Sequence, residues 1–340
     1  MIRLAWRQFR TEAVTSFGAL VVVAVVLAVT GPHLMDVYRS TPHQVSTADH
    51  GLQVALVALV VIVPALAGVF FGAPLVAREL EAGTYRLAWT QSVTRVRWLV
   101  VKLAFVGLAS SLLAGGLSLM VAWWANPVNI ESADRFSPGS FGLFGIVPFG
   151  YALFAFVLGA TTGLLFRRTL PAMATTLVGY VGVRLAVTLW VRQHFAAPLT
   201  KVFAIQATSP FNFQMSPGGA IQVSVPGPTM PNAWVLSTAV VDKAGRTPST
   251  AFLTKACPGL GAGGGGGAQS VLKHATTRGA PGLSSMQDCS TAIAARFHGV
   301  VTYQPASRYW PFQIYETALF VVLALALAGV SVWWVRRRLT

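Results

Sequence analysis

Six unbroken apolar runs, at approximately 14–35, 51–77, 98–125, 140–166, 169–191 and 312–335, constrain this 340-residue chain more than any other feature. A bilayer core about 30 Å thick needs roughly 20 helical residues per crossing, and every run meets that length. Hydrophobic residues make up 54% of the chain and charged residues 10%, too little charge to solvate an ordinary globular surface. In hydrocarbon each backbone N–H and C=O must pair within the protein, which leaves helices or closed barrels, and barrel strands would alternate rather than run unbroken. The sequence therefore predicts an all-α polytopic membrane protein with six transmembrane helices. The second, third and fourth runs exceed one crossing, so they are expected to tilt or protrude.

The first run follows "MIRLAWRQFR" and has the basic start and apolar core of a signal peptide, but it lacks a small-residue cleavage site and is expected to stay as the first span. Within that start Ile2, Trp6, Phe9 and Ala13 share one helical face beside Arg3, Arg7 and Arg10, the pattern of an interfacial helix. Orientation follows from basic residues in short loops. One side collects Arg3, Arg7, Arg10, Arg78, Arg86, Arg95, Arg97, Lys102, Arg167, Arg168, Arg336, Arg337 and Arg338, whereas the short loops of the other carry Arg39 and Arg135. Both termini are thereby expected to be cytoplasmic, in a multi-pass protein of the plasma membrane. Trp98, Trp123, Trp124, Trp190, Trp310, Trp333 and Trp334 fall at span ends, as interfacial belts do. The net charge of +15 is accounted for largely by inner-face arginines near anionic lipid, and no nucleic-acid partner is inferred.

The sequence divides into a transmembrane domain, 1–191, an extracytoplasmic insertion, 192–311, and a sixth helix with a basic tail, 312–340. In the insertion "AWVLSTAVVDKAGRTPST" suggests a strand pair around "DKAGR", and "SSMQDCSTAIAARFHGV" a short helix capped near Ser284 or Ser285. "PGLGAGGGGGAQS" reads as a flexible linker. A small mixed cap over the membrane domain is expected. Cys257 and Cys289 both lie in this segment, where an oxidising compartment favours a disulfide; with His274 and His298 they have no recognised zinc-ligand spacing.

Much chemistry is missing from the spans. None of the ten acidic residues falls in the middle of a predicted span and the six histidines sit at or beyond the outer surface, which disfavours a proton-driven carrier. No G-x-x-x-x-G-K-[ST] motif is present, so an ATPase would have to come from a separate subunit. Ser110 and Ser111 have no histidine at their depth, so no catalytic pair is assigned, and no metal site either. Arg184, well inside the fifth run, either meets an anionic or polar substrate group along a translocation path or snorkels outward. Pro64, Gly68 and Gly72 in the second run, and Pro148 and Gly150 in the fourth, are candidate kinks.

Between the second and third runs "ARELEAGTYRLAWTQ" concentrates charge: Arg78 and Glu79 open a hairpin of about 75–97, Gly83 and Thr84 offer a helix stop, and Arg95 and Arg97 restart the chain at the lipid surface. This stretch, in "LVARELEAGTYRLAWTQSVTRVRWLVVKL", together with "WRQFR", "VTYQPASRYWPFQIYETALF" and "VWWVRRRLT", resembles the permease subunits of type-2 ABC (ATP-binding cassette) transporters, particularly the actinobacterial kind. The resemblance implies the type-2 ABC permease fold. It also implies two permeases, a second copy or a paralogue, working with two cytoplasmic ABC ATPase subunits that bind ATP and Mg, this chain carrying no cofactor. Carried onto this sequence, Arg78, Glu79, Glu81, Gly83, Thr84 and Arg86 would form the coupling helix, with both carboxylates facing basic or backbone donors of the ATPase. Export of an amphipathic or lipophilic compound such as a drug, antibiotic or lipid is the expected activity, membrane lipids being the surrounding partner. The alternative is a non-transporting sensor or scaffold whose outer segment binds a ligand.

Overall fold

The computed structural model describes residues 2–40, 47–83, 94–129, 136, 140–216, 221–257 and 283–338. They fall into two compact units, Met1–Ala196 with Ser307–Thr340, and Ala197–Ala306.

The first unit is helical throughout. Helix α1 (Ile2–Ser40) runs without a break from the basic start into the first span, Ala13–His33; the side chains of Ile2, Arg3, Trp6, Arg7 and Phe9 lie outside the described residues. Helix α2 (Thr47–Leu66), a π-helical stretch (Ala67–Gly72) and α3 (Ala73–Glu81) form the second span. Helices α4 (Arg95–Asn129), α5 (Val147–Phe166) and α6 (Thr169–Ala186) follow; α6 continues through a π turn (Val187–Val191) and a short tight turn (Arg192–His194). The last span is α9 (Tyr309–Arg338), which gives six membrane-length apolar helices. The chain is thus a multi-pass membrane protein.

Helix α5 is the hub, and its sequence says why. It is apolar around its whole circumference, and 15 of its residues are buried, as a helix enclosed by others must be. Its crossing with the second span brings backbone against backbone. Gly68-x-x-x-Gly72 faces Gly159-x-x-x-Gly163, and a Cβ at Gly159 would fall on the Gly68 carbonyl oxygen, one at Gly72 on the carbonyl of Phe156. Lipid gives helices no hydrophobic reason to associate, so such small-residue seams hold them by close packing. Gly68 and Gly72 are therefore seam residues, and the helix that carries them is π-helical from Ala67 to Gly72. Hydroxyls add cross-links: Thr161 bonds Ser331 of α9 at 2.9 Å, and Thr162 bonds Thr176 of α6 at 2.8 Å.

The fourth apolar run is not one helix. Residues 140–146 form turns, and α5 starts at Val147 with Pro148 in its first turn, a position where a missing N–H and a fixed φ do no harm. Pro148 is consequently a helix start rather than a kink, and Gly150 is a packing site against the backbone of Thr317. Gly145 at φ +94° turns the chain, and the Gln313 side chain of α9 accepts from the amides of Ile146 and Val147 while donating to the carbonyls of Phe141 and Phe144. A single amide thus closes the turn and the helix end together. Trp98 and Trp124, expected at the interfaces, are buried instead, Trp124 because its indole N–H reaches Thr30 at 2.9 Å.

The second unit has a three-stranded antiparallel sheet in the order β1 (Leu199–Phe203), β5 (His298–Gln304), β4 (Trp234–Val241), and a hairpin of β2 (Asn212–Met215) with β3 (Ile221–Ser224). Helices α7 (Thr250–Ala256) and α8 (Leu283–Arg296) complete it, Ser249 capping α7 through the amide of Phe252 at 3.2 Å. Its core gathers Ile205, Val240, Leu253, Ile293 and the bonded pair Cys257–Cys289, whose Cα atoms are 4.8 Å apart. The strand pair expected around "DKAGR" is a single strand. Asp242 and Gly245 do form the turn, but Pro248 and the Ser249 cap divert the chain into α7, and β4 pairs with β5 from beyond α8. Ser284 and Ser285 lie inside α8 rather than at its cap, and the glycine run falls outside the described residues.

Candidate functional site

The charge-dense stretch after the second span was expected to project from the membrane, and α3 carries it. Three residues past Leu80 the chain takes the left-handed turn that glycine allows: Gly83 has φ +69°, the amide of Ala82 donates to the Arg78 carbonyl at 2.9 Å, and that of Gly83 to the Leu80 carbonyl at 3.4 Å. The helix stop predicted at Gly83 is real in its backbone; Thr84 and Arg86 lie outside the described residues.

Both carboxylates of this stretch have partners within the chain. Glu79 accepts from Nζ of Lys102 on α4 at 2.5 Å, with side-chain exposures of 17% and 6%. Lys102 also lies 4.9 Å over the ring of Trp98, so its stem is packed and its charge is met from two sides. Lys102, one of the basic residues that set the orientation, is buried beside Glu79, where an ammonium needs a counter-charge. Glu81 accepts from the backbone amide of Thr169 at 3.4 Å and from its hydroxyl at 2.8 Å, which ties α3 to the first turn of α6. A carboxylate at that helix start also meets the positive end of the α6 dipole. Around these ties Arg78, Arg97, Arg167 and Arg168 remain exposed, and Arg336 to Arg338 are exposed at the end of α9. This is the basic end of the membrane unit.

The opposite end holds a polar cluster in the interior. Arg192, from the turn that ends the fifth span, donates through Nε to Glu316 Oε2 at 2.8 Å and through Nη2 to Oε1 at 3.0 Å, and the side chains are 1% and 0% exposed. Tyr151 of α5 donates to Glu316 Oε1 at 2.5 Å. The Arg192 guanidinium lies 4.2 Å over the ring of Phe141, which stacks on Phe136, itself edge-on to Tyr309 and Phe312. Arg184 turns toward the bundle: Nη1 donates to the Val61 carbonyl at 3.2 Å and to the Tyr180 hydroxyl at 3.4 Å, and its guanidinium lies 4.7 Å over Tyr151. The Val61 carbonyl stands next to the one that Pro64, lacking an N–H, leaves without its helical donor. Arg192 and Glu316 were not singled out in the sequence. Their signal was available: Arg192 directly follows the apolar run that ends in "LWV", and Glu316 stands near the start of the last apolar run, in "FQIYETALF".

A further feature lies between α1, α2 and α4. An apolar cavity of about 250 Å³ is lined by Leu20, Val23, Leu59, Val63, Leu66 and Leu117 among others, with Ser16 its one polar lining residue. Such a cavity suits a hydrocarbon group and offers nothing for a charged one.

Comparison with known proteins adds one finding. A family model described as "ABC-2 membrane transporter related" matches residues 17–192, slightly more than half of the chain. No curated protein and no solved structure matches.

Proposed function

Because the chain belongs to the ABC-2 membrane transporter related family, we propose that it is the permease subunit of an ATP-driven exporter, hydrolysis being carried out by a separate cytoplasmic ABC ATPase. It is a membrane transporter component; the finer reading is built on that. The observation that carries it is the family match itself, whose 17–192 stretch takes in nearly all of the first five spans and the α3 tip. ATP and Mg are bound by the ATPase, two copies of which serve two permeases, either two copies of this chain or this chain and a paralogue. Both termini and the α3 tip face the cytoplasm of a plasma membrane, in keeping with the arginines gathered at the basic end.

Nucleotide-driven movement of the ATPases pushes the α3 tip, comprising Arg78 to Gly83 with Thr84 and Arg86 beyond it. The second span transmits the push along its glycine seam to α5, the helix that touches most of the others. An amphipathic or lipophilic cargo enters the apolar cavity beside α1, α2 and α4, and Arg184, bonded at rest to the Val61 carbonyl and Tyr180, meets a polar group on that cargo.

The full-length tagged protein, extracted in mild detergent with its cognate ATPase co-expressed, tests the reading. A complex that hydrolyses ATP, and inverted vesicles that take up a lipophilic fluorescent cation only with ATP, are the expected results. Absence of any bound ATPase under conditions that preserve a known transporter complex would transfer the chain to the sensor or scaffold reading, in which the disulfide-bonded outer unit binds a ligand.

A further inference from the structure

The tip of α3 reads in the sequence as a mixed-charge contact, and the structure engages both of its carboxylates within the chain. Glu79 is neutralised by Lys102 within the helix bundle, and Glu81 is bonded to the amide and hydroxyl of Thr169. What the basic end turns outward is arginine: Arg78 stands one helical turn before Glu81, and Arg168 directly precedes the Thr169 that Glu81 holds. The Glu81 tie therefore sets Arg168 beside the α3 tip, while the Glu79 tie pins that tip to α4. Among the described residues exposed at this end, Arg78, Arg97, Arg167 and Arg168 outnumber the single exposed carboxylate of Glu81.

Resting on the permease reading, we propose that this end docks its ATPase through Arg78 and Arg168 onto an acid-lined groove, with Glu79 and Glu81 acting as internal ties that present those arginines. Guanidinium forks match carboxylates in geometry as well as charge, and a basic groove would meet like charge across the whole tip. Anionic lipid headgroups are the other chemistry that attracts arginine at a membrane surface. They ask for no fixed arrangement, however, whereas Arg78 and Arg168 are carried on helix ends joined by a hydrogen-bonded tie. The ATPase is accordingly the occupant.

The test uses the full chain with its purified ATPase, identified by its Walker motif and its hydrolysis, in nanodiscs of zwitterionic lipid and again with anionic lipid added. Retained ATPase activity is measured across a salt series. Docking between opposite charges at an exposed surface is screened, so retention by the wild type should fall roughly tenfold between about 50 mM and 500 mM salt. R78E/R168E should lose about tenfold at low salt in both lipids, and E81Q, whose amide oxygen can still accept from Thr169 and keep the tie, should lose clearly less than the double variant. Arg168 precedes α6, where a glutamate suits the positive helix end, so the double variant should keep its size-exclusion profile. The salt series on the unaltered complex needs no variant to fold. The proposal is overturned by a complex indifferent to salt, by R78E/R168E binding like wild type, by E81Q losing as much as the double variant, or by a loss confined to discs with anionic lipid. A wild type that holds no ATPase in either lipid defeats the permease reading instead.

Discussion

The two ends of the membrane unit use the same chemistry, a guanidinium or ammonium against a carboxylate, at very different wetness. Arg192 and Glu316 are 1% and 0% exposed, with Tyr151 as a third member, whereas Lys102 and Glu79 are 6% and 17% exposed. The second unit supplies a third case, Arg246 and Asp242, at 79% and 23%. A dry pair attracts strongly but must repay a large desolvation cost, and a wet pair does neither. Position along this series, rather than the presence of an ion pair, decides what each contributes: a clamp at the dry end, a positioning tie at the basic end and a local turn at the surface.

Removing one partner from the dry pair should have the largest effect. Glu316→Gln or Arg192→Leu leaves a buried charge uncompensated and is expected to cost about 3–5 kcal/mol, seen as a lowered melting point by fluorescence-detected size exclusion; Arg192→Leu/Glu316→Leu should recover most of it. If the double variant is no better than either single one, the pair is more than a mutual neutralisation. Next comes the seam on which both ends depend. Gly159→Val drives a side chain onto the Gly68 carbonyl and should cost about 1–3 kcal/mol or prevent assembly of the bundle, by the same assay.

The tie at the basic end ranks third. Lys102→Met or Glu79→Gln should destabilise by about 1–2 kcal/mol, less than the dry pair because water still reaches Glu79. Equal losses at the two ends would erase the distinction. The smallest effect belongs to the exposed turn. The amide of Arg246, together with its side chain and the amide of Ala244, holds the Asp242 carboxyl below its usual range. Its folded pKa is lower than its unfolded one, so the turn is supported above about pH 4 and that support fades as pH falls through the lower, folded value. Amide exchange at Ala244 and Arg246 should quicken in that acid window with no change in global unfolding, and Asp242→Asn should remove the pH dependence.

The helices were the legible part. Span number, approximate ends and the inserted mixed segment follow from hydropathy, and the fourth run misled only because apolarity does not separate a helix from the buried turn at 140–146. The basic end was half legible. Its position and the stop at Gly83 could be read, but the direction in which Glu79 and Glu81 point could not, since a carboxylate near a membrane surface has the same local signature whether it faces water or a neighbouring helix. The dry cluster was hidden by distance, Arg192 and Glu316 being 124 positions apart.

By itself, then, the sequence determined that this chain crosses a membrane six times, because roughly 20 apolar residues in hydrocarbon have little choice but to be a helix. Only the tertiary structure decided which charges meet. Pairing depends on the rotation of each helix about its axis and on how closely two backbones approach. Those are set at the glycine seam of α5 and the second span by packing between residues some 90 positions apart, which no local pattern encodes.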